Sequence, residues 1–138
     1  IGGMAFISSN VGAVHAFAET VGAWFDTPHG VANSLFLPYI MEFNIPACPE
    51  RFADIADAMG IEREESMSDE QYALKAVEYV KALNRKLNIP TIKEIKGITE
   101  ERFEAIAERS ANNVLSNDNA RKITKEDYLE LLKKAYNE

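Results

Sequence analysis

His15 and His29 are the only two histidines of the chain, and neutral imidazole is the side chain most often found on a bound transition metal. Glu19 follows His15 by four positions, which on a helix puts its carboxylate one turn further along the same face. His29 stands between Pro28 and Gly30. The proline stiffens the approach, and the glycine lets backbone or a ligand come close. A helix followed by a tight loop can bring the second ring back to the first. As types, His15, Glu19 and His29 make a two-histidine, one-carboxylate set, which favours Fe(II). Their spacing matches no self-sufficient metal motif such as H-E-x-x-H. A structural reading therefore stands beside it: two hydrogen-bonded histidines and a solvated or capping Glu19. The sequence has no Gly-rich phosphate loop, no CxxC and no G-x-S-x-G, so phosphate-loop, dithiol and serine-elbow chemistry have no carrier. Cys48, between Ala47 and Pro49, reads as a buried or helix-entry residue without a catalytic role.

Helical period runs through the elements that must position these residues. Val14, Phe17, Ala18, Val21, Trp24 and Phe25 follow the i, i+3, i+4, i+7 rule and predict a first helix with that face inward. Asp26-Thr27-Pro28 breaks it. A second helix is expected from near Gly30, with Val31, Leu35, Leu37, Ile40, Met41 and Phe43. It is apolar nearly all round, as a buried helix would be, and Pro38 should kink it. Pro49 suits the first turn of a third helix, with Phe52, Ile55, Ala56 and Met59 inward and Gly60 as its stop. Ser68 and Gln71 form a capping-box pattern before the longest helix, whose inward face is Tyr72, Ala76, Val77, Val80, Leu83 and Leu87. Ile89-Pro90 ends that helix. Thr99 should open another through Phe103, Ile106 and Ala107, and Thr124 with Asp127 should cap a last one carrying Tyr128, Leu131, Leu132 and Ala135. No stretch alternates with period 2. The expected class is all-α, a bundle-like domain spanning residues 1–138.

Composition narrows the function classes. With 138 residues, one domain is expected, and 46% hydrophobic content with 7 Gly and 5 Pro excludes a disordered or collagen-like chain. The net charge of −7 offers no basic patch for nucleic acid and none for an anionic membrane surface. No run of 18 apolar residues predicts a membrane span. A single cysteine excludes an intrachain disulfide framework and suits a reducing cytoplasm. All 15 Lys and Arg lie in residues 50–138, and residues 1–49 hold only three acids, Glu19, Asp26 and Glu42. So uncharged a segment belongs inside a core or against a partner. The opening Ile1-Gly2-Gly3-Met4 has no basic flank, which argues against a signal peptide and reads as a cut inside a longer protein.

Gly12-Ala13-Val14-His15-Ala16-Phe17-Ala18-Glu19, then Gly22-Ala23-Trp24-Phe25-Asp26-Thr27-Pro28-His29-Gly30-Val31-Ala32-Asn33 and Leu37-Pro38, resemble the signature of iron-containing (group III) alcohol dehydrogenases. The tail Asn119-Ala120-Arg121-Lys122-Ile123-Thr124-Lys125-Glu126-Asp127-Tyr128 is similar to the closing Asn-Pro-Arg segment and last helix of that family. The resemblance covers essentially the whole chain and is strongest over residues 6–43.

The resemblance implies a two-domain, dehydroquinate synthase-like architecture of which this chain is the helical C-terminal half, without its dinucleotide-binding partner domain. It implies one divalent metal, Fe(II) or Zn(II), held by three histidines and an aspartate. His15 and His29 match two of those ligands, and the other two would precede residue 1. It implies hydride transfer between a small alcohol or aldehyde and NAD or NADP, with Phe6 at a position that lines the substrate pocket. A half so separated would be inactive alone, and its charge-poor N-terminal segment, exposing apolar surface, predicts self-association into a homo-oligomer or binding to the missing half. Three positions depart from the pattern: Glu19 stands where many members carry a further histidine near the nicotinamide, Ala120 where proline is usual, and Leu115 where cysteine is frequent. Two other readings compete. One is a non-catalytic helical interaction module with structural histidines. The other is a self-contained Fe(II) site that uses Glu19 as a ligand.

Overall fold

Local start signals mark the longer helices of the computed structural model, which describes Met4 and residues 10–138. They are α1 (Ala13–Phe25), α2 (His29–Asn44), α3 (Pro49–Ala58), α4 (Asp69–Lys86), α5 (Phe103–Ala111) and α6 (Lys125–Asn137). Short 3₁₀ turns lie at Ile45–Ala47, Ile92–Glu94, Glu100–Arg102 and Val114–Asp118. Among the described residues there is no strand, as the sequence pattern requires. Both expected capping boxes form. Ser68 accepts from Gln71 N–H while the Gln71 side chain accepts from Ser68 N–H, and Thr124 and Asp127 do the same. A third box, Thr91 with Glu94, opens the Ile92–Glu94 turn. Thr99 differs from expectation: its side chain caps nothing, and the 3₁₀ turn Glu100–Arg102 precedes α5.

Two apolar clusters share α2 as their common wall. In the first, Phe17 of α1 stacks on Phe36 of α2 at 4.2 Å between ring centres and takes the edge of Tyr128 from α6 at 4.5 Å. Ile92, Ile106 and Leu132 close this cluster, all fully buried. The second joins Met41 and Ile45 to the inward faces of α3 (Ala53, Ala56) and α4 (Tyr72, Ala73, Ala76, Val77, Val80). Burying one large aliphatic or aromatic side chain stabilises by about 1.5–3 kcal/mol, so α2, with residues in both clusters, ties the domain together.

Pro38 lies inside an unbroken α2. Its ring nitrogen has no hydrogen to give the carbonyl four residues back, which is that of Ser34. Asn84 of α4 supplies the missing donor: its Nδ2 bonds the Ser34 carbonyl at 2.6 Å.

Several expected inward positions face out. Trp24, Leu37, Ile55, Leu83 and Leu87 are 42%, 37%, 38%, 40% and 60% exposed. Leu87 falls just past the end of α4, and Leu83 sits in its last turn, beyond the part packed on α2 and α3. Trp24 likewise occupies the last turn of α1. A periodic stripe marks which side of a helix is apolar, but not where its partner stops. Nor is α2 buried all round. Leu37 faces outward and Val31 and Phe43 are half-buried, so one side remains open.

Candidate metal centre

The first turn of α1 carries His15, whose backbone N–H bonds the Gly12 carbonyl at 3.0 Å. Gly12 precedes the helix and provides no side-chain cap. At the other end, Asp26 turns the chain through the left-handed region, φ 49° and ψ 39°, and stops the helix. The connector then doubles back along α1. A Cβ on Gly22 would sit 3.2 Å from the Thr27 carbonyl, closer than most Cβ contacts, so glycine there lets the chain return tightly. Pro28 flanks α2, and His29 is its first residue rather than a loop residue. Its carbonyl receives a bond from Asn33 Nδ2 at 2.9 Å.

This reversal brings the two rings together. Their centres lie 5.2 Å apart with the planes tilted by 56°. His15 is half-buried and His29 exposed. Burial first, and the neighbouring His29 second, hold His15 below the usual imidazole value of 6.5, while the Glu19 carboxylate pulls the other way. A neutral ring keeps the lone pair a metal needs. Two imidazoles bound to one ion at about 2.0–2.1 Å bring their ring centres to roughly 5 Å, so the pair fits as half of a coordination shell.

Glu19 does not join them as a third ligand. Its exposed carboxylate accepts from Asn113 Nδ2 at 2.8 Å. Asn113 is itself fixed, because its Oδ1 accepts the Leu115 N–H at 3.0 Å and caps the Val114–Asp118 turn. Among the described residues no group of three His, Cys, Asp or Glu side chains is placed to hold a metal. The self-contained Fe(II) reading thus has no third described ligand in place beside the two rings. Phe6 lies outside the described residues.

Beside His15 opens a concavity of about 340 Å³ walled by Val11, Gly12, Val14, Asn33 and Leu37. Its walls are mainly apolar, and Asn33 Oδ1 is a buried acceptor without a hydrogen-bond partner among the described residues. Cys48 is half-buried at the start of α3, where its thiol reaches the Asn44 carbonyl at 3.9 Å.

Sequence spacing gives no sign of three asparagines that organise this region. Asn113 holds Glu19. Asn44, at the end of α2, and Asn119, in the tail, exchange amide bonds at 2.7 and 3.1 Å. These partners lie 75 residues apart or more in sequence, and no local period reports such contacts.

With this geometry in place, a sequence model of the Fe-containing alcohol dehydrogenase family, C-terminal part, matches residues 1–136. The chain belongs to that family. It is 39% identical over 136 residues to lactaldehyde reductase of Escherichia coli (strain K12), which covers 99% of this chain and 35% of the relative. Against 1,3-propanediol dehydrogenase of Citrobacter freundii it is 35% identical, with the same 99% and 35% coverage. The solved structure of an alcohol dehydrogenase from Oenococcus oeni superposes with a TM-score of 0.90 at 41% identity, covering 97% of this chain and 35% of that one. The chain thus spans about a third of the length of the curated relatives it matches, and its helical fold is that of their C-terminal part. No helix among the described residues is long and apolar enough to cross a membrane.

Proposed function

We propose that this chain is the metal-binding helical domain of an enzyme that moves hydride between a small alcohol or aldehyde and NAD or NADP. The observation that carries the reading is the 5.2 Å approach of the His15 and His29 rings, built by a connector that folds back on α1. His15 and His29 would hold Fe(II), or Zn(II), through one ring nitrogen each. The remaining ligands and the dinucleotide site would come from a preceding domain. When bound, such an ion supplies Lewis acidity toward an alcohol or carbonyl oxygen.

The residues of this chain divide the other tasks. Val14 and Leu37 wall the concavity beside His15, keep water from it, and suit the short carbon chains named in the relatives, lactaldehyde and 1,3-propanediol. On the family resemblance, Phe6 would line the substrate pocket. Glu19, held by Asn113 at 2.8 Å one turn along α1 from His15, would serve as a proton relay in place of the histidine frequent in the family. The cytoplasm is the compartment that a single free thiol fits.

The test is a calorimetric titration of the chain with Zn(II), alongside His15→Ala and His29→Ala. Each substitution removes one of two ligands, and an affinity loss of tenfold or more is expected while the helical circular dichroism signal stays. Affinity unchanged in both variants overturns the reading. The chain alone should not oxidise NADH or NADPH in the presence of lactaldehyde, and sustained turnover would refute its role as one part of a larger site.

A further inference from the structure

We propose that Asn119 is a positioning residue for the histidine pair: its carboxamide locks the start of α1, and with it His15, to the end of the helix that begins at His29. This rests on the reading of the two histidines as metal ligands.

A helix start leaves its first N–H groups without partners, and Gly12 has no side chain to satisfy them. Asn119 does so from 106 positions away, its Oδ1 accepting the Ala13 N–H at 3.3 Å. The same oxygen accepts from Asn44 Nδ2 at 3.1 Å. In return Asn119 Nδ2 donates to Asn44 Oδ1 and to the Arg121 carbonyl, each at 2.7 Å. A carboxamide has two donor hydrogens and an oxygen with two lone pairs, and all four capacities are engaged here. No rotation of the amide keeps them all, so its orientation is fixed.

Two further contacts hold this joint. Arg121 donates from Nη1 to the Phe43 carbonyl at 3.0 Å, and its guanidinium lies 4.2 Å from the centre of the Phe43 ring. This clamps the segment after Asn119 onto the last turn of α2. Gly12 presses closely from the other side, since a Cβ there would meet Asn119 Oδ1 at 3.0 Å and its Cα at 3.2 Å. His15 is bonded to the Gly12 carbonyl at 3.0 Å. A displacement of Asn119 therefore passes through Gly12 to the backbone of the first ligand. Ligand geometry tolerates only about 0.5 Å of error, and residues that orient ligands alter metal affinity by about 10–100-fold when removed.

A merely structural role predicts something different: lower stability with ligand geometry intact. The experiment measures Zn(II) affinity by calorimetry and thermal midpoint for the chain and for Asn119→Ala, Gly12→Ala, Ser68→Ala and His15→Ala. Gly12→Ala leaves every hydrogen-bonding side chain present but displaces the amide, and it decides the matter if Asn119→Ala does not fold. Ser68→Ala removes the cap of the distant α4. In the metal-free protein, nuclear Overhauser contacts between the His15 and His29 rings give a second readout. Asn119→Ala and Gly12→Ala are expected to weaken Zn(II) binding by about tenfold and to reduce the ring contacts. Ser68→Ala should lower the midpoint without changing affinity. Affinity kept within twofold in the folded Asn119→Ala and Gly12→Ala proteins, with His15→Ala losing it, overturns the clamp alone. Unchanged affinity in His15→Ala removes the metal reading, and the clamp with it.

Discussion

Tyr128 is a fully buried side chain whose hydroxyl still has a partner, Ser116 Oγ at 2.7 Å. Ser116 also reaches the Ser110 carbonyl at 2.7 Å, and Ser110 Oγ donates to Thr20 of α1 at 3.2 Å. This buried run of hydroxyls joins α6, α5 and the helix that carries His15. Burial pushes the phenol from its ordinary 10.0 up to about 12, against a smaller lowering by Ser116. A raised folded value means that the folded state keeps its proton longer than the unfolded chain. The stabilisation is complete below pH 10 and is lost as pH climbs toward 12. The loss reaches about 1.4 kcal/mol by pH 11. Tyr128→Phe should cost about 1 kcal/mol at pH 8 and should fall less between pH 9 and 11 than the parent chain. Urea midpoints at the three pH values check this, and parallel falls in both proteins would exclude the phenol as the cause. The place of Tyr128 on an inward stripe is legible in the sequence. Its partner is not, because a serine in a 3₁₀ turn carries no period.

At the scale of elements, α2 keeps its course through Pro38 because another helix repairs the hydrogen bond that the proline removes. Asn84→Ala should leave the half-buried Ser34 carbonyl without its donor, at a cost of roughly 1–2 kcal/mol. Pro38→Ala restores a backbone N–H at the position that serves this carbonyl. In the Pro38→Ala background, Asn84→Ala should therefore cost less, and the double-mutant cycle in urea should give a coupling above about 0.5 kcal/mol. Strict additivity would show that the 2.6 Å bond does not substitute for the missing one. The proline was readable as a threat to the helix, and its remedy was not, since Asn84 stands 50 positions beyond the Ser34 carbonyl it serves. The capping boxes at Ser68 and Thr124 were readable because a cap and its partner lie three residues apart. The histidine pair falls between these cases. The types and the Pro-His-Gly turn suggested convergence, but the Gly22 contact that permits the return of the chain is tertiary. Glu19 was legible as a neighbour of His15 and not as a partner of Asn113.

Over the whole molecule the charge asymmetry becomes a spatial one. Every lysine and arginine lies in residues 50–138, where ion pairs such as Lys75–Glu64 and Lys125–Glu104 cover the outside. The segment that carries the histidines shows Trp24 at 42% and Leu37 at 37% exposure. Leu37 walls the concavity beside His15. With Val11 and Val14 it forms a contiguous apolar surface, the kind that marks a contact site, and the relatives are roughly three times as long as the stretch they share with this chain. In the isolated chain the apolar side has only another copy to meet, so concentration-dependent dimerisation is expected. A net charge of −7 opposes it weakly and is screened at 0.15 M salt beyond about 8 Å. The association should therefore strengthen with added sulfate, which favours apolar burial. Leu37→Glu places a carboxylate on this side without touching either cluster of the core. It should weaken association at least tenfold, about 1.4 kcal/mol, while leaving the thermal midpoint of the monomer nearly unchanged. Sedimentation velocity across a hundredfold range of concentration, with and without sulfate, measures both effects. A parent chain that remains monomeric throughout would mean that the apolar side is stable in water, and the charge asymmetry would then need another cause.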